Sequence, residues 1–309
     1  MIKQTRIIRN CSYAGTWLIA LGIAALLAAC ASAPPQGEPV AAPPQPIAKR
    51  PPRIGLALGG GAARGFAHVG VIQVLEEAGV RPDLVAGTSA GSLVAALYAS
   101  GRNGRQLQQV AETMEEAAFT DWTLPIFSRG VLRGEALARY VNAHVGGKPI
   151  EQMPIALGIV ATDLNSGLGV LFQRGDIGTA VRASSAVPAL FLPVKIGNQE
   201  YVDGGLVSPT PVRYVRQMGA ELVIAVDISS APEGNQAGDP IEILLQTFAI
   251  MGKSINSYEL RDADVVVRPA LAGVGGADVA ARRRAIDAGR AAMQRLLPQL
   301  KAAIEAKSK

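Results

Sequence analysis

Ser89 stands between two glycines in Gly87-Thr88-Ser89-Ala90-Gly91, after the strand-like run Asp83-Leu84-Val85-Ala86 and before the helix-like Ser92-Leu93-Val94-Ala95-Ala96-Leu97-Tyr98. That order describes a nucleophile elbow, a sharp turn that pushes a serine Oγ into the open, with Gly87 and Gly91 leaving room for other backbone to come close. A serine hydroxyl is a weak nucleophile and needs a base within hydrogen-bond reach. Histidine is the usual partner, and this chain has only His68 and His144. In hydrolases whose triad runs serine, acid, histidine, the histidine follows the elbow late. His68 precedes the elbow and His144 closes a helix before Gly146-Gly147, so both read as helix-packing or capping residues. A carboxylate acting directly is the alternative. Asp203 ends a short strand-like run and is followed by Gly204 and Gly205, while Asp163 and Asp227 end similar runs. Sites gather at strand ends along one edge of an open α/β sheet, so position alone leaves three acids in play.

A third chemical element is Gly59-Gly60-Gly61-Ala62-Ala63-Arg64-Gly65. Backbone N–H groups in a glycine-rich loop leading into a helix form an anion cradle, suited to a developing oxyanion. A phosphate is the rival anion. The run lacks the Lys-Ser/Thr ending of a nucleotide loop, and Arg64 stands where the last glycine of a dinucleotide fingerprint belongs. Arg64 is left with two roles, orienting the loop or meeting a lipid phosphate.

These groups need a scaffold that brings strand ends together. Ile54–Leu58 reads as a strand, followed by a helix with apolar positions Phe66, Val69, Ile72, Val74 and Leu75 and a C-cap at Gly79. The elbow strand and a helix ending near Gly101 follow, then a polar helix from Gln106 to Ala118. Strand, helix, strand, helix implies parallel neighbours. Residues 121–133 show no period and concentrate aromatics; they read as a loop packed on the core, with a lid as the alternative. Beyond them come a helix Glu135–His144, a buried strand Ile155–Thr162, a hairpin through Asn165-Ser166-Gly167, and a helix Asp176–Ser185. A second hairpin, Phe191–Ile196 with Glu200–Val202, delivers Asp203. A strand Leu222–Ile228, a helix Ile241–Leu260, a strand Asp264–Arg268 and a helix from Ala277 onward end the chain. The expected fold class is α/β: an open, mostly parallel central sheet with helices on both faces, three layers in one domain over 53–309.

The N-terminus points to a destination. Trp17–Ala29 is an apolar run preceded by Lys3, Arg6 and Arg9, and Leu27-Ala28-Ala29-Cys30 looks like a bacterial lipobox. Thirteen residues is short of the roughly 20 that a spanning helix needs. The expectation is a lipoprotein signal over 1–29, lipidation at Cys30, and a Pro-rich tether to residue 52. Ala31 after the cysteine resembles sorting to the periplasmic side of the outer membrane of the cell envelope. Without residues 1–29, which hold three bases and no acid, the formal charge drops from +5 to +2, so nothing calls for nucleic acid. Arg282-Arg283-Arg284 reads as a solvated helix start, with anionic headgroups as the alternative partner.

The glycine run, the elbow and Asp203-Gly204-Gly205, in that order, make the chain resemble the patatin-like phospholipases over about Arg53 to Val226. Thr162-Asp163-Leu164-Asn165-Ser166-Gly167 and Ala183-Ser184-Ser185-Ala186-Val187-Pro188 are similar to family segments as well. The resemblance implies a Ser-Asp dyad, with Ser89 as nucleophile and Asp203 as base. It also implies an oxyanion hole from Gly59, Gly60, Gly61 and Ala62, with Arg64, Gly87, Gly91 and Gly204 in support. No metal or other cofactor is implied. The implied substrates are membrane phospholipid or lysophospholipid esters. A soluble ester or thioester, or a catalytically idle envelope scaffold, are the alternatives, and no protein partner is indicated.

Overall fold

A computed structural model describes residues 50–115, 121, 129–229, 238–275 and 278–309. The leader, Cys30 and nearly all of the Pro-rich tether lie outside these residues. The folded unit already includes Arg50, whose N–H donates to the Lys309 carbonyl at 2.6 Å and whose guanidinium pairs with Glu221.

The strands and helices alternate as the apolar runs predict. They are β1 (Ile54–Leu58), α1 (Ala67–Glu77), β2 (Leu84–Thr88), α2 (Ala90–Ala99), α3 (Gly104–Thr113), β3 (Gly130–Leu132), α4 (Glu135–Val145), β4 (Ala156–Asp163), β5 (Gly169–Phe172) and α5 (Ile177–Ser184). There follow β6 (Ala189–Phe191), β7 (Val194–Ile196), β8 (Gln199–Asp203), α6 (Val212–Gln217), β9 (Leu222–Val226), α7 (Pro240–Glu259), β10 (Val265–Val267) and α8 (Arg282–Lys307). The main sheet runs in the order β10-β9-β1-β2-β4-β8-β7, parallel from β10 to β4 and antiparallel beyond, with β5 also on β4.

Side chains alternate across the sheet and set the thickness of its two covers. Leu56, Leu58, Leu222, Ile224 and Val226 face α1, α2 and α8 in the larger core. Ala57, Ala86 and Ala225 face α6, whose Val212 and Val215 lie close against the sheet. This is the expected three-layer α/β/α fold with a mostly parallel sheet.

Two expectations change. The run Phe191–Ile196 is two strands, because Pro193 has no N–H to continue a ladder. Phe191 ends β6, which pairs in parallel with β3 in a separate two-stranded sheet, and Val194 begins β7. That pairing also gives strand structure to Gly130–Leu132, inside the expected loop 121–133. Of the rest of that loop, Asp121 is described: its carboxylate accepts the Gly134 and Ala136 N–H groups at 2.6 and 2.8 Å, capping α4. Residues 122–128, where a lid would sit, are outside the described residues.

One register detail places the site. β5 occupies one edge of β4 over Ile159–Thr162, so β2 and β8 must share the other. On that edge Thr88 of β2 lies opposite Val160, and Asp203 of β8 lies opposite Ala161. The two strands run toward each other and their C-terminal ends meet.

Candidate active site

Ser89 follows β2 directly and takes φ 53°, ψ −125°, a left-handed conformation that costs a non-glycine residue on the order of 1–3 kcal/mol. Its surroundings fix it there. The Ser89 N–H donates to Ser184 Oγ at 2.9 Å, and the Ser184 hydroxyl donates to the Val160 carbonyl at 2.5 Å. Ser92 Oγ donates to the Ser89 carbonyl at 2.6 Å. The flanking glycines are required by contact: a Cβ on Gly87 would run into the Gly91 carbonyl, and one on Gly91 into the Leu58 carbonyl. Gly204 is equally constrained by the Val160 carbonyl, which lets β8 finish beside Thr88.

Asp203 is 6% exposed at the end of β8. Burial pushes its carboxyl up to about 6 from the ordinary 3.8, against the opposing effects of the Gly205 N–H that bonds it and of the nearby Ser89 hydroxyl. The Gly205 N–H donates to Oδ1 at 2.7 Å. Thr162 Oγ1 donates to the Asp203 carbonyl at 2.8 Å and the Asp203 N–H donates to the Ala186 carbonyl at 3.0 Å, so the backbone cannot turn the carboxylate away. A carboxylate of this basicity is largely ionised at neutral pH and positioned to take the hydroxyl proton.

The other acids are occupied elsewhere. Asp163 Oδ1 accepts the N–H groups of Asn165 and Ser166 in the β4–β5 turn, and the Ser166 N–H foremost holds its carboxyl below the usual range. Asp227 accepts from Ser229, Asn256 and Arg268. Neither histidine serves Ser89. His68, fully buried on α1, donates Nε2–H to the Gly59 carbonyl at 2.8 Å, and burial lowers its pKa to about 4, so it stays neutral while it holds the loop. His144 Nδ1–H donates to the Tyr140 carbonyl within α4.

The glycine run arches over the elbow, where a Cβ on Gly60 would come within 3.1 Å of Ser89 Cβ. The set of four expected donors is reduced here. The Gly59 N–H donates to the Val226 carbonyl at 3.0 Å and the Gly60 N–H to the Pro209 carbonyl at 2.9 Å, so both amides are committed to holding the loop. Among the described residues the Gly61 and Ala62 amides donate to no carbonyl, and Ala62 has φ 51°. Ala90, the residue after the nucleophile, opens α2, so its N–H has no carbonyl one turn back. Ala90 is not among the expected donors, although an elbow normally uses that amide. Nothing local in the sequence shows that the Ser184 hydroxyl reaches Ser89. Arg64 orients the loop: Nε donates to the Gly61 carbonyl at 3.2 Å. Arg282 donates to the Ala111 and Glu112 carbonyls at the end of α3, while Arg283 and Arg284 stay largely exposed, in surface ion pairs with Glu112 and Asp278.

From Ser89 a cavity of about 330 Å³ runs between α1, α2 and α3, lined by Phe66, Val69, Leu93, Val94, Leu97 and Leu107 among other residues, nearly all apolar. Its size is within the range of small-molecule pockets. An apolar chain ending in a carbonyl at Ser89 suits this shape.

The patatin-like phospholipase family description matches residues 56–216, just over half of the chain. An NTE family protein of Mycobacterium tuberculosis (strain CDC 1551) is 38% identical over 183 residues, covering 59% of this chain and 51% of its own. A second from the same strain is 31% identical over 271 residues, covering 79% of this chain and 46% of its own. Mouse patatin-like phospholipase domain-containing protein 6 is 36% identical over 189 residues, 58% of this chain and 14% of its own length. The chain thus spans about half the length of the mycobacterial relatives. The solved structure of VipD from Legionella pneumophila shares the fold, with a TM-score of 0.56 at 15% identity over 81% of this chain and 67% of that one. With elbow, glycine loop and Asp203 inside or beside the matched span, the chain belongs to the patatin-like phospholipase family.

Proposed function

We propose that the chain is a serine acyl hydrolase that cleaves carboxylic esters of phospholipids or lysophospholipids through Ser89 and Asp203. The observation that supports this reading is the end-to-end meeting of β2 and β8, which brings Ser89 close to the buried Asp203, with an apolar cavity opening at Ser89. Asp203 accepts the Ser89 proton as Oγ adds to the ester carbonyl. The oxyanion is held by the N–H groups of Gly61, Ala62 and Ala90. Collapse returns the proton to the departing alcohol, and water, deprotonated by Asp203, releases the acid from the acyl-serine. The expected lipidation at Cys30 would keep the site on the periplasmic side of the outer membrane, beside its substrate.

Purified wild type, Ser89→Ala and Asp203→Asn are compared on phospholipid, lysophospholipid and p-nitrophenyl esters. Either substitution is expected to remove activity by on the order of 10⁴-fold. Wild-type rates in either variant sink the dyad, while a wild type that cleaves soluble but not lipid esters replaces the substrate class. Failure of a fluorophosphonate to label Ser89 supports the idle scaffold instead.

A further inference from the structure

Ser208, Pro209 and Thr210, between β8 and α6, touch every part of the site. The Ser208 N–H donates to the Gly204 carbonyl at 2.9 Å, next to Asp203. The Ser208 carbonyl accepts the Thr88 hydroxyl at 2.8 Å, one residue before the nucleophile. The Pro209 carbonyl accepts the Gly60 N–H at 2.9 Å, and Thr210 Oγ1 lies against Gly59, 2.8 Å from where a Cβ would stand. These residues belong to no helix or strand, so no ladder of their own fixes them. The helix α7 holds them from behind. Glu259 Oε1 accepts the Ser208 hydroxyl at 2.6 Å, and Asn256 Oδ1 accepts the Thr210 N–H at 3.1 Å. All four residues are buried, Glu259 at 8% exposure, so water does not compete for these bonds.

Stability alone does not account for a carboxyl at this place. Glu259 Oε2 is buried without a hydrogen-bond partner, and burial pushes the carboxyl above the usual range against the effect of the Ser208 hydroxyl. A half-satisfied buried carboxyl costs more than an apolar side chain of the same size. We propose that Glu259 is a positioning residue for the oxyanion donors: through Ser208 it fixes the Pro209 carbonyl that holds Gly60, and so sets where the Gly61 and Ala62 N–H groups stand relative to Ser89. Glu259 lies beyond the matched residues 56–216, which gives the C-terminal segment a part in the site. The inference rests on the reading of Ser89 and Asp203 as the dyad of an acyl hydrolase. A substrate bound by its acyl chain in the cavity keeps its affinity when the donors shift, while the developing oxyanion loses its partners, so kcat falls and KM does not rise.

The full chain is compared as wild type, Glu259→Ala, Ser208→Ala and Glu259→Gln. The two alanine variants break the bond from either side, and glutamine keeps an oxygen for the Ser208 hydroxyl. On p-nitrophenyl butyrate, with rates taken per serine labelled to completion by a fluorophosphonate, each alanine variant is expected to lose about tenfold or more in kcat with KM within about twofold. Glu259→Gln is expected to regain most of that loss. An alkyl trifluoromethyl ketone, whose adduct on Ser89 carries the oxyanion, is expected to bind more weakly by the same factor. Hydrogen exchange without substrate reads the loop itself. Peptides covering residues 59–66 and 84–92 are expected to exchange about tenfold faster in the alanine variants, with those of α4 unchanged. Unchanged loop exchange, or unchanged kcat per labelled serine, in both alanine variants overturns the proposal. Exchange that rises equally in every peptide, α4 included, overturns it too, because Glu259 then supports the whole fold. A wild type that cleaves no ester ends the hydrolase reading, and the exchange comparison then decides alone whether Glu259 sets the loop.

Discussion

Asp203→Asn separates the chemical use of Asp203 from its cost to the fold. In the folded chain the carboxyl is raised to about 6 from 3.8, chiefly by burial. At 1.36 kcal/mol per pH unit, the ionised form in the native state is disfavoured by on the order of 3 kcal/mol. The native state binds the proton more tightly than the unfolded chain. Its share of stability is therefore fully present below about pH 3.8 and is lost as pH rises to about 6. Asparagine keeps an oxygen for the Gly205 N–H and has no charge to bury. The variant is expected to match wild type near pH 3.5 and to exceed it by about 2–3 kcal/mol at pH 7.5, while losing its hydrolysis. Urea unfolding of both proteins at half-unit intervals of pH measures the difference, in which every other titrating group cancels. If the difference stays flat or shrinks with rising pH, Asp203 is not a buried, destabilised carboxylate, and its assignment as a base loses its electrostatic basis.

Three further outcomes are expected. The kcat/KM on a soluble ester should rise with pH and level off above about 6, falling about tenfold per unit on the acid side, as Asp203 must be ionised to take the proton. Ser184→Ala removes a fully buried hydroxyl that links the Ser89 N–H to the Val160 carbonyl. It should cost about 1–3 kcal/mol in unfolding free energy and lower kcat more than it raises KM. Val94→Phe narrows the cavity beyond Ser89, so decanoyl esters should lose at least about tenfold in kcat/KM while acetyl esters are unaffected; equal loss on both would place the acyl chain elsewhere.

The parts of this fold that were legible are those written locally. The glycine-flanked serine predicts a strand-to-helix turn because only that context tolerates φ 53° at Ser89, and the buried runs of β1 and β9 lack any polar position, as interior parallel strands do. The acid was not legible from position, since Asp163, Asp203 and Asp227 all end strands. What sets Asp203 apart is that β8 shares an edge of β4 with β2, a pairing between segments far apart in the chain. The donors were legible as a loop but not as individual amides, because the carbonyls of Val226 and Pro209 that occupy Gly59 and Gly60 come from other segments. The strands β3 and β6 have three residues each, too few to show a period.

The meeting of β2 and β8 also sets a timetable. Thr88 and Ser208, joined at the site by a hydrogen bond, are 120 residues apart in the chain. In a growing chain β1, α1 and β2 emerge well before β4 and β8, so Ser89 is made long before Asp203. Contacts of such long range close late in folding. If Ser89 and Asp203 act as proposed, a chain that has emerged only as far as β2 carries the serine without its base, and the two meet only when β8 joins the sheet.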